Sequence, residues 1–269
     1  MPIKLTFSIA LFLLWGCVSW RWYVCGIKQA CPEPPPPPED VRPLVFNWGA
    51  SEAITRPEFE AFRDSITMAA LPEGQILEIV GLYFEGEPGL DSAASLGAAR
   101  ADEVKKLFAE QLPEERLASS SRQEAEPEDA REQPFEAVAF RFIEPADLGD
   151  MAITELEDRI LIQFPFREAS KELEPEAEAY FGKLAKRIEN SEETIRITGH
   201  TDSIGAAAAN LKLGLARAEY IEEILLEQGL DPAKMGVQSK GETDPIADNN
   251  TEEGRKRNRR VEIRIVSNE

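Results

Sequence analysis

The sequence predicts an α/β fold, an α+β sandwich with helices packed on a mixed sheet, built twice in tandem. Three observations carry this expectation. Short alternating apolar runs interleave with longer helical stretches. The chain matches itself at a spacing of about 118 residues. An apolar N-terminal segment and a proline run precede both copies, so the layout reads as anchor, spacer and globular portion.

The first element is the apolar run Leu5 to Trp20, followed by Arg21. A spanning helix needs about 20 residues, a length this run reaches when Arg21 snorkels to the interface. Trp20, Trp22 and Tyr23 fit an interfacial aromatic belt. Residues 1–27 are therefore expected to form a transmembrane anchor contacting membrane lipid. Residues 28–39, containing Pro34 to Pro38, are expected to form a stiff Pro-rich spacer. Two alternatives stay open. Gly16-Cys17 suits a lipoprotein signal, although Trp15 is bulky for one. A cleaved signal peptide would want a basic start and a small-x-small site, whereas only Lys4 precedes the core and Ala-x-Ala is absent. Lys4 on one side and Arg21 and Lys28 on the other leave the orientation open. The cysteines are Cys17, Cys25 and Cys31. Cys25 and Cys31 are either a disulfide in an oxidising compartment or two thiols.

The repeat then divides the rest into domains at 40–146 and 150–269. Phe46 to Phe62 aligns with Phe164 to Tyr180, bringing Pro57 onto Pro175 and Glu58 onto Glu176. Gln75 to Gly81 aligns with Glu193 to Gly199, Leu96 to Ala101 with Leu213 to Ala218, and Val138 to Ile143 with Val261 to Val266. Four blocks in one order at nearly one offset indicate two homologous domains. The polar, acidic stretch Ser119 to Gln133 is expected to be a mobile loop.

In the second domain, Arg159 to Phe164 reads as a strand. Pro175 opens a helix running to about Asn190, with Glu176 and Glu178 in its first turn. Thr194 to Thr198 reads as a strand. Asn210 is expected to cap a helix that ends before Gly229, with an apolar stripe of Leu211, Leu215, Ala218, Ile221 and Leu225. A short strand is expected near Met235 to Gln238. Arg260 to Val266 alternates apolar and charged residues, as a half-buried strand does.

Charge narrows the function. With 50 acidic against 30 basic residues, the net charge is −20. Such a surface repels phosphates, so no nucleic-acid partner is expected. His200 is the single histidine, which excludes a Cys-His zinc site; no metal and no cofactor are expected. No serine elbow, second histidine or cysteine partner accompanies His200, so the chain is not expected to be an enzyme. Leu5 to Trp20 holds no ionisable residue, which argues against an ion-channel subunit.

The chemistry concentrates near the C-terminus. Asp202 follows the strand ending at Thr198, in a turn where Gly205 permits unusual backbone angles. Arg217 lies seven residues beyond Asn210, about 10 Å along the same helix face. Such an Asp and Arg either pair with each other or take the two ends of an amino-acid headgroup, carboxylate to ammonium and guanidinium to carboxylate.

These residues sit in a longer pattern: Thr201-Asp202-Ser203-Ile204-Gly205, Asn210-Leu211-Lys212-Leu213 with Arg217-Ala218, then Gly241 with Pro245-Ile246, and Asn258-Arg259-Arg260-Val261-Glu262. That pattern resembles the OmpA-like peptidoglycan-binding domain family of outer-membrane protein A, peptidoglycan-associated lipoproteins and MotB. The resemblance covers the second domain. It implies a βαβαβ fold in the periplasm of a Gram-negative cell, holding peptidoglycan without covalent attachment and tethering an envelope membrane to the wall. It implies that Asp202 and Arg217 hold meso-diaminopimelate of the stem peptide, with Thr201, Asn210 and Arg260 as supporting contacts. Gly214, Lys240 and Pro165 depart from the family pattern. The first domain is a degenerate OmpA-like copy: Phe84 stands at the place of Asp202, and Arg100, at the place of Arg217, is expected to be unpaired. Residues 40–146 are thus expected to be a structural unit or to meet an envelope protein partner. The alternative for the whole chain is a protein-interaction scaffold with a vestigial ligand site.

Overall fold

A computed structural model describes residues 13–28, 40–69, 74–88, 93–148, 151–170 and 173–266. Met1–Asp40 and Val41–Glu269 are separate compact units. In the first, residues 13–21 are α-helical and Trp22–Ile27 π-helical (together α1). Of its apolar side chains, Leu13, Leu14, Trp15, Val18, Trp20 and Trp22 are exposed to solvent. Among the described residues no helix is long and apolar enough to cross a membrane. The expected anchor covers residues 1–27, of which 1–12 lie outside the described residues, as do the proline run and Cys31.

The second repeat is built on β8 (Arg159–Gln163), α4 (Pro175–Glu189), β9 (Thr194–His200), α5 (Ala207–Glu227), β10 (Met235–Gly241), α6 (Glu252–Asn258) and β11 (Arg260–Val266). Its sheet runs β10-β9-β11-β8, extended by β7 (Met151–Glu155) and β6 (Ala146–Leu148). Only β10 and β9 are parallel. Pro175 opens α4, whose Lys186 and Arg187 lie in the last turn, where cations oppose the negative end of the helix. Helix and sheet meet through Phe181, Ile188, Ile221 and Leu225 against Ile162, Ile195, Ile197, Val261 and Ile263, all buried.

Two expectations for α5 are corrected. Its N-cap is Ala206, so Asn210 lies inside the first turns. The buried face there is Asn210, Gly214 and Arg217, while Leu211 and Leu215 are exposed. The reason is a close approach between helix and sheet. A methyl group on Gly199 of β9 would lie 1.7 Å from the Gly214 carbonyl oxygen. Gly214 therefore faces the strand and the Ser239 hydroxyl.

The first repeat reproduces this plan with β1 (Leu44–Val45), β2 (Ile54–Thr55), α2 (Phe59–Ala69), β3 (Ile76–Phe84), α3 (Ala93–Phe108), β4 (Leu117–Glu124) and β5 (Val138–Ile143). Its sheet runs β4-β3-β5, with β3 and β4 parallel, matching β10-β9-β11. Much of the stretch expected as a mobile loop is therefore strand: Ser119 to Glu124 belong to β4, paired along β3.

The repeats meet along a polar seam. Buried Glu78 accepts from the Ser120 hydroxyl and the Glu157 amide, both at 2.6 Å, and pairs with Arg141 at 3.2 Å. Burial pushes its carboxyl pKa up. Arg257 at the end of α6 donates to the carbonyls of Glu114 (2.5 Å) and Leu117 (3.0 Å). Arg159 donates to the Ser119 carbonyl at 2.7 Å. A small apolar cluster of Ala118, Ile143 and Leu156 lies beside them.

Candidate ligand pocket

The pocket forms where β9 ends. The Thr201 amide donates to the Gly241 carbonyl at 2.9 Å, tying the strand exit to β10. The chain turns through Asp202, whose Oδ1 accepts the Ile204 amide at 3.1 Å, and through Gly205 at φ +114°. Behind the turn, the fully buried Asn258 amide holds the backbone of Ile246 and Ala247 and bonds Asn249, and Asn249 accepts the Ser203 amide at 3.2 Å. The α6 region thereby fixes the loop that carries the acid.

Asp202 and Arg217 line one cleft of about 320 Å³, together with Phe166, Thr201, Asn210 and Arg259. They are not ion-paired to each other. Asp202 Oδ2 accepts from Arg259 Nη1 at 3.0 Å. Arg217 is fully buried and donates to three carbonyls: Nε to Glu168 (2.8 Å), Nη1 to His200 (3.0 Å) and Nη2 to Pro165 (3.0 Å). Its guanidinium lies 5.4 Å from the Phe164 ring centre. Burial lowers its pKa to about 10, opposed by the charge of Asp202, so it remains a cation at neutral pH.

Of the other expected residues, Asn210 donates to the Asp202 carbonyl at 3.3 Å and to the Glu242 carboxylate. The Thr201 hydroxyl is buried and has no hydrogen-bond partner among the described residues. Arg260 does not line the cleft. It is buried on the other side, donating to the Asp244 carbonyl at 3.2 Å and lying 3.5 Å from Glu262. Its neighbour Arg259, just ahead of β11, lines the pocket instead; the Arg-Arg pair signalled the position but not which member faces in. Phe166, 5.6 Å from the Arg259 guanidinium carbon, forms a further wall. His200 sits beneath, with both ring nitrogens unpartnered among the described residues. Burial, helped by the charge of Arg260, lowers its pKa to about 4, so the ring is neutral at pH 7.

Arg100 is not unpaired. It is fully buried against the carboxylate of Glu87, whose side chain is equally buried.

Residues 165–259 match the OmpA family. The second repeat carries an OmpA-like domain. It is 44% identical over 95 residues to outer membrane protein A of Bordetella avium, covering 35% of this chain and 49% of that protein. It is 34% identical over 106 residues to the peptidoglycan-associated lipoprotein of Pseudomonas aeruginosa, covering 39% of this chain and 63% of that protein. The chain thus spans only part of the length of these relatives. Among solved structures, the peptidoglycan-associated lipoprotein from Burkholderia pseudomallei is 28% identical, with a TM-score of 0.37, covering 39% of this chain and 89% of that one.

Proposed function

We propose that the OmpA-like domain binds peptidoglycan without covalent attachment, gripping the free end of meso-diaminopimelate on the stem peptide. One observation carries the reading: an acid and a buried arginine line the same cleft without pairing to each other. An ammonium group finds Asp202, and a carboxylate finds the cationic edge made by Arg217 and Arg259. The unpartnered Thr201 hydroxyl and the Asn210 amide supply further polar contacts. The names of the relatives, a peptidoglycan-associated lipoprotein among them, support the same reading.

We further propose that residues 1–27 hold the chain in an envelope membrane of a Gram-negative cell, with Val41–Glu269 in the periplasm. The exposed apolar side chains of α1 support an anchor by helix or by lipid. The chemistry asked of the protein is binding alone. The experiment is co-sedimentation of residues 40–269 with purified sacculi. Wild type is expected in the pellet, with Asp202→Ala and Arg217→Ala in the supernatant. Pelleting of both variants like wild type would mean the cleft is not the wall site.

A further inference from the structure

The first repeat holds the same arginine cradle as the second. Arg100 donates from Nε to the Ala50 carbonyl (2.9 Å), from Nη1 to the Leu82 carbonyl (2.9 Å) and from Nη2 to the Asn47 carbonyl (3.4 Å). Arg217 uses the same three nitrogens on Glu168, His200 and Pro165, which lie about 118 residues further along, at the repeat spacing. The ring beneath is Phe46 in one repeat and Phe164 in the other, at 5.6 and 5.4 Å.

Around this shared cradle the surroundings differ. Phe84 stands at the place of Asp202. Phe46 exchanges backbone hydrogen bonds with Phe135, where Phe164 bonds the Arg259 carbonyl, so Phe135 stands at the place of Arg259. The ion pair of the second repeat is thus replaced by two aromatic rings 5.4 Å apart, with Trp48 stacked on Phe84 at 6.2 Å. Into this apolar setting comes Glu87. Its Oε2 accepts from Arg100 Nη1 at 3.1 Å and from the Phe84 amide at 3.3 Å. Its Oε1 accepts from Arg100 Nη2 and from the Gly49 amide, the latter at 3.0 Å. Counted by the repeat spacing, Glu87 stands at the place of Gly205, which lines the open cleft.

We propose that the first repeat is a carboxylate-binding site sealed by its own Glu87, so that the chain takes one wall ligand and not two. The sealed site is complete: a bidentate guanidinium, two backbone amides and an apolar wall, the equipment a small carboxylate needs. Cutting back Glu87 opens it to a free monocarboxylate. The proposal concerns the first repeat alone, so its test is independent of wall binding by the second.

The experiment is thermal unfolding of the full chain in chloride against formate or acetate at equal ionic strength. Glu87→Ala leaves a buried guanidinium without its anion and is expected to lower Tm by about 10 °C in chloride. Formate or acetate is expected to restore a saturable part of that loss, while wild type responds equally to all three salts. Glu87→Gln keeps the shape and removes the charge. It is expected to melt below wild type, with no selective response to formate because the side chain still fills the site. Equal behaviour of Glu87→Ala in chloride and carboxylate, including failure to fold in both, overturns the proposal. So does a Glu87→Gln variant as stable as wild type.

Discussion

Arg259 donates to Asp202 across 3.0 Å, so the acid of the pocket is held by an arginine 57 residues away in sequence and not by Arg217 on the facing helix. The arrangement leaves Arg217 bonded, among the described residues, to carbonyls alone and sets three cations, Arg167, Arg217 and Arg259, against one acid around the cleft. The two neighbouring arginines at the start of β11 consequently have separate tasks.

Substitution separates them. Arg259→Gln leaves Asp202 buried without its partner and is expected to weaken binding to sacculi by about tenfold or more, equivalent to at least about 1.4 kcal/mol. Arg260→Gln is expected to lower Tm while leaving the binding isotherm within about twofold, a change worth less than 0.5 kcal/mol. Sedimentation isotherms and melts on the same preparations check both. Equal loss of binding in the two variants would contradict the separation.

Acid should weaken the fold through His200. Its ring is held neutral, with a pKa lowered from 6.5 to about 4 by burial. The unfolded chain therefore takes up a proton between these values while the folded chain does not. The stabilisation is fully present above pH 6.5 and is lost as pH falls toward 4, on the order of 3 kcal/mol in all. Urea midpoints measured across pH 4 to 7 are expected to fall more steeply for wild type than for His200→Gln. Parallel curves would show that the histidine does not carry the dependence.

The contact of Gly199 with Gly214 sets a steric prediction. A methyl on Gly199 would meet the Gly214 carbonyl oxygen at 1.7 Å, and a methyl on Gly236 would meet nothing within 4 Å. Gly199→Ala is expected to cost about 3 kcal/mol or more, since backbone has to move. Gly236→Ala, in the same sheet, is expected to change stability by under about 0.5 kcal/mol. Denaturant titration of the two variants decides.

Much of the fold is legible in the sequence. Alternation marked β11 as a strand, although Arg260 to Ile263 are buried on both faces and not half-buried, because β8 and β9 flank the strand and Arg260 and Glu262 sit 3.5 Å apart within it. Pro175 marked the start of α4. The turn motif Thr201 to Gly205 located the acid, and spacing placed Asn210 and Arg217 on one face. Other features were hidden for physical reasons. β4 reads Leu-Ala-Ser-Ser-Ser-Arg-Gln-Glu, polar because its buried Ser120 is satisfied by Glu78 and its neighbours by the seam, so no apolar period announces a strand. The inward member of Arg259-Arg260 depends on how β11 registers with β8 and β9, a long-range fact. Glu87 lies between the matched blocks, with glycine at its counterpart, so nothing in the repeat pointed to it as the mate of Arg100.

One short helix has a consequence for dissection. Arg257, in the last turn of α6, grips backbone of the first repeat, and Arg259, the next residue but one, grips Asp202. A fragment cut at residue 150 keeps the pocket motif yet strips Arg257 of both its acceptors. The excised piece is expected to bind sacculi differently from residues 41–269, which form one compact unit and keep both contacts.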